Sequence, residues 1–279
     1  MQRFLISTLS LFSMIFSQEL FEPGLISTET ASEYGLTFID DNSIAFSRQG
    51  SDRQKKIYLC KRLNGKWQTP QIASFSGMHN DEYPSFDPVS KRLYFSSQRP
   101  VDGIEQSRND IWYVVLQNDK SWSEPQHLSG QFSGPGIESG TSSNGDLIYF
   151  HSDRSGSGMN SVDIYSLSFK EPNSTAMKLK ISTDQVDGEP HIFNNGMAML
   201  FMSAGHNAIG ASDIFLSELS RNNWSTPVAL SKINSKDWDY SPTLSPDLKQ
   251  LYFTRLSRGP SNIYVINTDQ IPELKNLLH

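Results

Sequence analysis

The sequence predicts an all-β fold, a β-propeller of five four-stranded blades. Two observations carry this prediction. A set of short strand-like segments recurs five times at intervals of about fifty residues, and turn-forming residues separate the segments within each copy. A repeated four-stranded unit of that length is typical of a propeller blade. Six blades, one of them too degenerate to identify, and an open β-solenoid are the alternatives.

The first recurring segment is an apolar and aromatic strand that ends in Phe. Its copies are Ser43–Phe46, Arg92–Phe95, Leu147–Phe150, Met199–Phe201 and Gln250–Phe253. These segments are almost continuously apolar, which indicates a strand that is buried on both faces between stacked blades.

Two further segments follow in constant order. A short strand opens with Ile and an aromatic residue at Ile57-Tyr58, Ile111-Trp112, Ile164-Tyr165, Ile214-Phe215 and Ile263-Tyr264. A Trp followed by Pro then comes at Trp67–Pro70, Trp122–Pro125 and Trp224–Pro227. The third copy has Met177–Leu179 in place of the Trp and Pro.

A tight turn precedes each Phe strand in copies two to five. The turn residues are Asp87-Pro88, Asn144-Gly145, Asn195-Gly196 and Pro246-Asp247. Such pairs favour reversals through the fixed φ of Pro or through tolerance of positive φ. We therefore expect a hairpin between the innermost strand of each blade and its Phe strand.

The N-terminal segment predicts how the ring closes. Leu20–Leu25 resembles the Trp-Pro segment, with Pro23 aligned to Pro70 and Leu25 to Ile72. We expect this strand to complete the last blade, which removes an exposed strand edge. The competing expectation is that Pro272–Leu277 closes its own blade. The repeats then span about 30–75, 80–130, 136–183, 187–232 and 238–277 of a single domain, residues 19–279.

The first eighteen residues predict a secretory signal peptide. A short positive start precedes the apolar run Phe4–Phe16, and the small residue Ser17 follows. No later stretch has the length and apolarity of a transmembrane helix. We expect an exported protein, periplasmic or extracellular, that does not span the membrane. Cys60 is the only cysteine and lies in an apolar strand, so we expect it to be packed rather than reactive.

Charge and composition limit the partners. The net charge is −6 and the 24 Lys and Arg residues are scattered, so no basic stripe is available for nucleic acid. We expect a monomer whose partner is a protein, peptide or glycan. The six His residues lack metal-ligand spacing, and no nucleophile or phosphate-binding motif is present. We therefore expect no catalytic set, no metal site and no cofactor.

One carboxylate recurs near the start of the innermost strand in every copy: Glu33, Glu82, Glu138, Glu189 and Asp239. At the mouth of a central channel these acids form a candidate binding site, for a structural cation among other ligands, or the paired carboxylates of a glycoside hydrolase. The favoured interpretation is that each acid bonds within its own blade, because catalysis needs unlike roles at unlike positions.

Arginine and aspartate also flank the loop that follows the Phe strand. We expect Arg99 to pair with Asp110, and Arg154 with Asp163, as structural bidentate pairs that hold long hairpins.

Several of these segments resemble a known repeat. Asp81–Pro88, Lys91–Ser97 and Asp110–Trp112, with a second match at Ser241–Asp247, resemble the TolB-like, WD40-like β-propeller repeat of exported bacterial proteins. The resemblance implies a protein-interaction platform in the cell envelope. We accordingly expect a binding or scaffold protein. The alternative is a glycan- or peptide-processing enzyme that uses carboxylates at the central channel.

Overall fold

The computed structural model describes residues 18–156, 162–171 and 174–278. In this part of the chain the strands form five antiparallel sheets, and the innermost strand of each sheet contacts the innermost strands of its two neighbours around a central axis. The fold is a five-bladed β-propeller, as the repeat predicts. Five blades, not six, make the ring.

The first half of the chain supplies β1 and the first two blades. Strand β1 (Glu19–Leu20) comes first along the chain. Blade 1 contains β2 (Ser32–Asp40), β3 (Ser43–Gln49), β4 (Lys55–Leu63), β5 (Lys66–Trp67) and β6 (Gln71–Ile72). Blade 2 contains β7 (Asp81–Asp87), β8 (Arg92–Ser97), β9 (Asp110–Val115) and β10 (Gln126–His127).

Three more blades follow. Blade 3 contains β11 (Glu138–Ser143), β12 (Leu147–Ser152), β13 (Asp163–Ser168) and β14 (Met177–Lys178). Blade 4 contains β15 (Asp187–Phe193), β16 (Ala198–Ser203), β17 (Asp213–Ser220), β18 (Asn223–Trp224) and β19 (Val228–Ala229). Blade 5 contains β20 (Trp238–Leu244), β21 (Gln250–Leu256) and β22 (Asn262–Asn267). Short 3₁₀ helices cover Gly130–Phe132, Asn194–Gly196, Thr268–Gln270 and Pro272–Leu274.

The hydrophobic core lies between the blades. The Phe that ends each recurring apolar segment is fully buried in the second strand of its blade: Phe46, Phe95, Phe150, Phe201 and Phe253. Five clusters of buried side chains each join two neighbouring blades, as where Ala45 and Ile57 of blade 1 pack with Leu93 and Phe95 of blade 2. Burial on both faces explains why these segments do not alternate between apolar and polar residues.

The N-terminal strand closes the ring. Leu20 of β1 pairs with Tyr264 of β22, so β1 is the outer strand of blade 5. Phe21 is buried, and its ring centroid lies 5.8 Å from that of Trp67 in blade 1 and 4.9 Å from that of Tyr252 in blade 5. The closure prediction is confirmed.

The predicted register of this strand was wrong. Ile72 pairs with Tyr58 in blade 1, and Leu20 pairs with the equivalent Tyr264, so Leu20 rather than Leu25 takes the place of Ile72. The competing strand is also absent, because Pro272–Leu274 forms a 3₁₀ helix. Pro272 begins that helix, and its missing N–H could not contribute to a β-ladder.

A bulge interrupts every innermost strand at the same position. The bulged residues have positive φ: Gly35 (61°), Tyr83 (53°), Gly140 (55°), Glu189 (52°) and Ser241 (50°). A left-handed conformation costs a non-glycine residue roughly 1–2 kcal/mol. Blades 2, 4 and 5 therefore carry side chains where the backbone favours glycine, and such strain is concentrated at functional positions.

The expected signal peptide covers residues 1–18, of which residues 1–17 lie outside the described residues. Gln18 is described, and its side-chain oxygen accepts a hydrogen bond from Arg255 at 2.8 Å. No helix in the described part of the chain is long and apolar enough to cross a membrane.

Candidate functional site

The carboxylates that recur in the sequence occupy two different kinds of place. Glu33, Glu138 and Asp239 are fully buried at the start of their innermost strands. Glu82 and Glu189 lie one and two residues further along, because the equivalent acids in their blades are Asp81 and Asp187.

An arginine holds the buried acid in four blades. We call this pair the arginine latch; its members and N–O distances are Arg48–Glu33 (2.8 Å), Arg99–Asp81 (2.8 Å), Arg154–Glu138 (3.1 Å) and Arg255–Asp239 (2.7 Å). Each guanidinium also lies over two aromatic rings of its sheet, as Arg99 lies over Phe95 and Trp112. The latched acids do not line the channel cavity described below. Their repetition reflects a bond that every such blade makes internally.

The expected loop pairs are corrected by the latch. Arg99 pairs with Asp81 and not with Asp110, whose carboxylate lies 3.2 Å from His127 Nε2. The guanidinium of Arg99 donates to Asp81 and also to the backbone carbonyl of Phe75, at 3.1 Å. One arginine therefore satisfies both acceptors.

The same correction holds in blade 3. Arg154 pairs with Glu138 and not with Asp163, which instead pairs with Lys178 at 2.6 Å.

Blade 4 lacks the arginine. His206 lies between Phe201 and Phe215, at centroid distances of 5.9 and 5.4 Å, where the other blades place a guanidinium. Its Nε2 lies 4.0 Å from Asp187, longer than any N–O distance in the latches. Burial raises the pKa of Asp187, as it does that of the latched Glu33 and Glu138. Asp187 differs from its four counterparts in lacking an arginine partner.

A cavity of about 320 Å³ follows the central axis. Residues of all five innermost strands line it, including the five bulged residues. Val89, Asn144 and Asn195 line one end and belong to the hairpins between first and second strands; all three are exposed, so the cavity opens there. We call this end the hairpin face. The volume lies at the lower end of the range for small-ligand sites.

Glu189 lies at the inner end of this cavity. It is 8% exposed and accepts a hydrogen bond from the hydroxyl of Ser241, and the hydroxyl of Tyr83 is close enough to lower its pKa. Burial raises the pKa of Glu189 to about 7, with a smaller contribution from the negative charge of Glu82, and the two hydroxyls oppose this shift. Glu189 therefore exchanges its proton near neutral pH.

Glu82 is close by but has different partners. It accepts hydrogen bonds from Tyr34 Oη at 2.9 Å and from Asn109 Nδ2 at 2.7 Å, and it forms an ion pair with Lys55 Nζ at 2.7 Å. A positive charge and two neutral donors thus balance this carboxylate, whereas Glu189 has only neutral donors.

Three tyrosines surround the two glutamates, of which Tyr34 and Tyr240 are buried and Tyr83 is partly buried. The rings of Tyr34 and Tyr83 lie 5.2 Å apart, and Tyr240 donates to Ser261 at 2.8 Å. Burial raises the pKa of all three hydroxyls, so they remain protonated donors at neutral pH. The sequence analysis did not select Tyr83 or Ser241. Their signal was the position two residues after the buried acid that begins each innermost strand (a latch acid in four blades, Asp187 in blade 4), which holds Gly, Tyr, Gly, Glu and Ser in turn.

Two histidines connect neighbouring blades around the axis. His151 Nδ1 accepts the backbone N–H of Glu189, and His191 Nε2 accepts that of Leu244, both at 3.2 Å. Burial lowers the pKa of each ring to about 4, which keeps both neutral. Across the described residues, no three His, Cys, Asp or Glu side chains form a group that could hold a metal ion.

The fold resembles several solved structures. No family model matches the chain, and no curated protein matches it in sequence. A putative TolB from Agrobacterium tumefaciens is 13% identical, with a TM-score of 0.54 over 85% of this chain and 77% of that one. An α-L-arabinofuranosidase from Lactobacillus brevis is 11% identical, with a TM-score of 0.55 over 85% and 91%. The catalytic domain of a Coprinopsis cinerea GH62 α-L-arabinofuranosidase is 10% identical, with a TM-score of 0.54 over 90% and 96%.

These similarities establish the propeller architecture. One fold carries several functions, so the function has to be argued from the side chains in the channel.

Proposed function

We propose that this chain is an exported binding propeller of the TolB-like, WD40-like repeat type, which receives part of a protein, peptide or glycan partner in its central channel. The observation that carries the proposal is the composition of the channel. The carboxylates common to the blades are engaged in the latches or, in blade 4, beside His206, while the residues that line the cavity differ from blade to blade.

Unlike lining residues favour the recognition of one particular ligand. At the bulge the channel presents a ring at Tyr83, a carboxyl at Glu189 and a hydroxyl at Ser241, with glycine in the other two blades. A few convergent polar groups in a partly apolar cavity are typical of ligand sites. The repeat resemblance and the N-terminal sequence support the envelope as the place where this binding occurs.

Filling the channel tests this proposal. Ser85 lines the cavity, and Ser85→Trp places a large side chain there. The matched control is Ser220→Trp on the exposed end of β17. Each purified variant is used at micromolar concentration to capture partners from envelope extracts.

We expect the chain beginning at Gln18 and the Ser220→Trp control to capture the same partner, and the Ser85→Trp variant to lose it. Capture that survives in the filled variant would move the binding site away from the channel. No capture by the unmodified chain would reject the binding proposal as a whole.

An enzyme that processes glycans or peptides is the second candidate. Two nearby carboxylates in unlike surroundings favour it, because such pairs supply an acid and a base in hydrolases. Glu189 has a pKa of about 7, and Glu82 is paired with Lys55. Glu138 does not belong to this candidate pair, since Arg154 holds it inside blade 3.

Glycan and peptide panels decide between the two candidates. We would assay the unmodified chain with Glu82→Gln, Glu189→Gln and the control Glu218→Gln, which changes an exposed glutamate of β17. Hydrolysis that falls at least a hundredfold in the first two variants alone would support the enzyme. Hydrolysis that is absent, or equal in all variants, would reject it.

A further inference from the structure

We propose that the inner end of the channel binds an organic ammonium group at Glu189, with the attached alkyl chain extending toward the hairpin face. A free alkylamine and the side chain of a lysine in a polypeptide share this chemistry. The inference rests on the proposed binding role of the channel and names the ligand class that the channel recognises.

The negative charge of Glu189 has no positive partner among the described residues of the channel. Glu189 lines the cavity, and no lysine or arginine forms an ion pair with it among the residues that the structure describes. Lys55, the cation nearest to this cluster in the hydrogen-bond network, is engaged by Glu82. A buried carboxylate is stabilised strongly by a positive partner. A ligand with a cationic tip supplies the charge that the protein omits.

The groups around the Glu189 carboxyl match the hydrogen-bonding capacity of an ammonium group. An ammonium group has three donors and no acceptor. The carboxylate of Glu189 and the hydroxyl oxygen of Ser241 are acceptors at the cavity wall, and the Tyr83 ring lies beside the axis, 3.2 Å from the place where a Cβ on Gly35 would stand. Aromatic faces attract cations. Oxygen acceptors and an aromatic ring together suit an ammonium better than a neutral group.

The cavity wall next to Glu189 offers apolar surface. Pro84, Pro190 and Pro242 follow the bulged residues in their strands, line the cavity and are buried. Proline has no backbone N–H to leave unpaired, so these residues offer apolar surface to a chain of methylene groups. Lysine and alkylamines combine such a stem with a charged tip.

A metal ion fits this place less well. Glu189 is the only glutamate in the cavity lining, and Asp87, the one aspartate there, belongs to the hairpin end and bonds to Ser90 and to the N–H of Val89. Calcium requires six to eight oxygen ligands, several of them usually carboxylates.

Proton release follows from binding a cation to this acid. The titratable groups around Glu189 are Tyr34 on β2, Glu82 and Tyr83 on β7, His151 on β12, His191 on β15 and Tyr240 on β20. Two other strands packed against β15 carry acids that are already paired, Glu138 on β11 with Arg154 and Asp163 on β13 with Lys178. Burial keeps the histidines neutral above a pKa of about 4 and raises the pKa of the tyrosines. Glu189, with a pKa of about 7, is the group that ionises as pH rises through neutrality. Ammonium binding therefore strengthens over that range.

Calorimetric titration tests the inference on the chain beginning at Gln18. The ligands are n-butylamine hydrochloride and Nα-acetyl-lysine-N-methylamide, with n-butanol as the neutral analogue and calcium chloride as the metal arm. The variants are Glu189→Gln, which removes the charge, and Glu218→Gln, which removes a charge from the exposed end of the same blade.

At about pH 8.5 we expect each amine to bind the Glu218→Gln control as tightly as it binds the unmodified chain. The affinity of n-butanol should be at least tenfold weaker. Glu189→Gln should lose at least tenfold in amine affinity. Between about pH 8.5 and about pH 5.5 the affinity of the unmodified chain should fall roughly 30-fold, since ionised Glu189 becomes tenfold scarcer with each pH unit below its pKa. The stronger of the two amines identifies the source of the ammonium group.

Equal amine affinity in Glu189→Gln, equal binding of n-butanol, or binding of calcium without amines would overturn the inference. If Glu189→Gln does not fold, the pH series on the unmodified chain decides, and an affinity independent of pH overturns it. Channel-dependent capture of a partner without amine binding would reject this ligand class and leave the binding function standing.

Discussion

At the scale of single residues, Glu189 and Glu82 differ more than their shared chemistry suggests. Lys55 balances the charge of Glu82, while Glu189 meets only neutral donors, from Ser241 and Tyr83, and has a backbone in the left-handed region. Such an arrangement costs stability whenever the carboxyl ionises. The folded protein therefore carries this destabilising feature at Glu189, on the channel axis.

The pH dependence of stability should reveal this cost. The pKa of Glu189 is raised to about 7, so the folded state holds a proton that the unfolded state has lost at intermediate pH. The contribution of protonated Glu189 to the unfolding free energy is fully present below the pKa of about 4.5 in the unfolded chain. It is lost as pH rises through the folded pKa of about 7. We expect the unfolding free energy of Glu189→Gln, relative to the unmodified chain, to rise by about 2–3 kcal/mol between about pH 5 and about pH 8.

Urea unfolding monitored by tryptophan fluorescence at several pH values measures this difference. Glu218→Gln is the control, because it removes an exposed carboxyl from the same blade. A constant difference for Glu189→Gln as well would show that this carboxyl ionises normally.

Single-residue roles were the least predictable feature from sequence. The recurring acid was identified in blades 1, 3 and 5, but in blades 2 and 4 the glutamates nearest the expected position were chosen over Asp81 and Asp187. A shift of one residue changes which face of a strand carries a side chain. The bulge two residues after the acid alters that relation again, and its location depends on contacts between blades.

At the scale of strands and loops, the arginine latch connects the start of the innermost strand to the end of the second strand. Asp81 is fully buried and Arg99 nearly so, which makes the pair dependent on both members. Blade 4 preserves the acid and replaces the arginine with His206 at a longer distance. Blades 2 and 4 therefore allow a comparison of the same buried acid with and without an arginine partner.

Neutralising the acid should have unequal effects in these two blades. Asp81→Asn leaves a buried guanidinium without its anion, and we expect a loss of about 3–5 kcal/mol in unfolding free energy. Asp187→Asn retains an acceptor for Thr183 and removes a charge that burial already disfavours, so we expect a loss of about 1 kcal/mol or less.

Urea unfolding of both variants at neutral pH measures the contrast. Equal losses would show that His206 supports Asp187 as strongly as Arg99 supports Asp81.

The strands themselves were easier to predict from the sequence than the register in which they pair. The Phe strands were identified because burial on both faces leaves a continuous apolar segment, as at Leu93–Phe95. Strand β1 is only two residues long, so nothing within it fixes its register. Its partner β22 fixes that register by pairing, and this explains the error of five residues at Leu25.

At the scale of the whole molecule, closure of the ring depends on a short N-terminal segment. Phe21 packs against residues of both the first and the last blade. Ser27 accepts the backbone N–H of Ile263 and donates to its carbonyl. The period of the repeat predicted the number of blades, but it could not predict the unlike residues that line the channel, because a repeat records only what its copies share.

Removing the closing strand should open the ring. We expect a chain that begins at Gly24 to melt at a lower temperature than one that begins at Gln18, because it loses the burial of Phe21 and leaves β22 as an unpaired edge. It should also self-associate. Differential scanning calorimetry and light scattering measure both effects, and two chains of equal melting temperature and mass would show that the strand is dispensable.

The pairing of β1 with blade 5 also has a consequence for the order of folding. Ser27 and Ile263 are hydrogen-bonded although 236 residues separate them along the chain. During synthesis β1 emerges before all five blades, yet its partner strand β22 belongs to the last of them. Contacts of such long range slow folding, because the chain must lose much of its conformational freedom before they form. The blades can form one after another, but β1 has to wait for the last blade before it is paired.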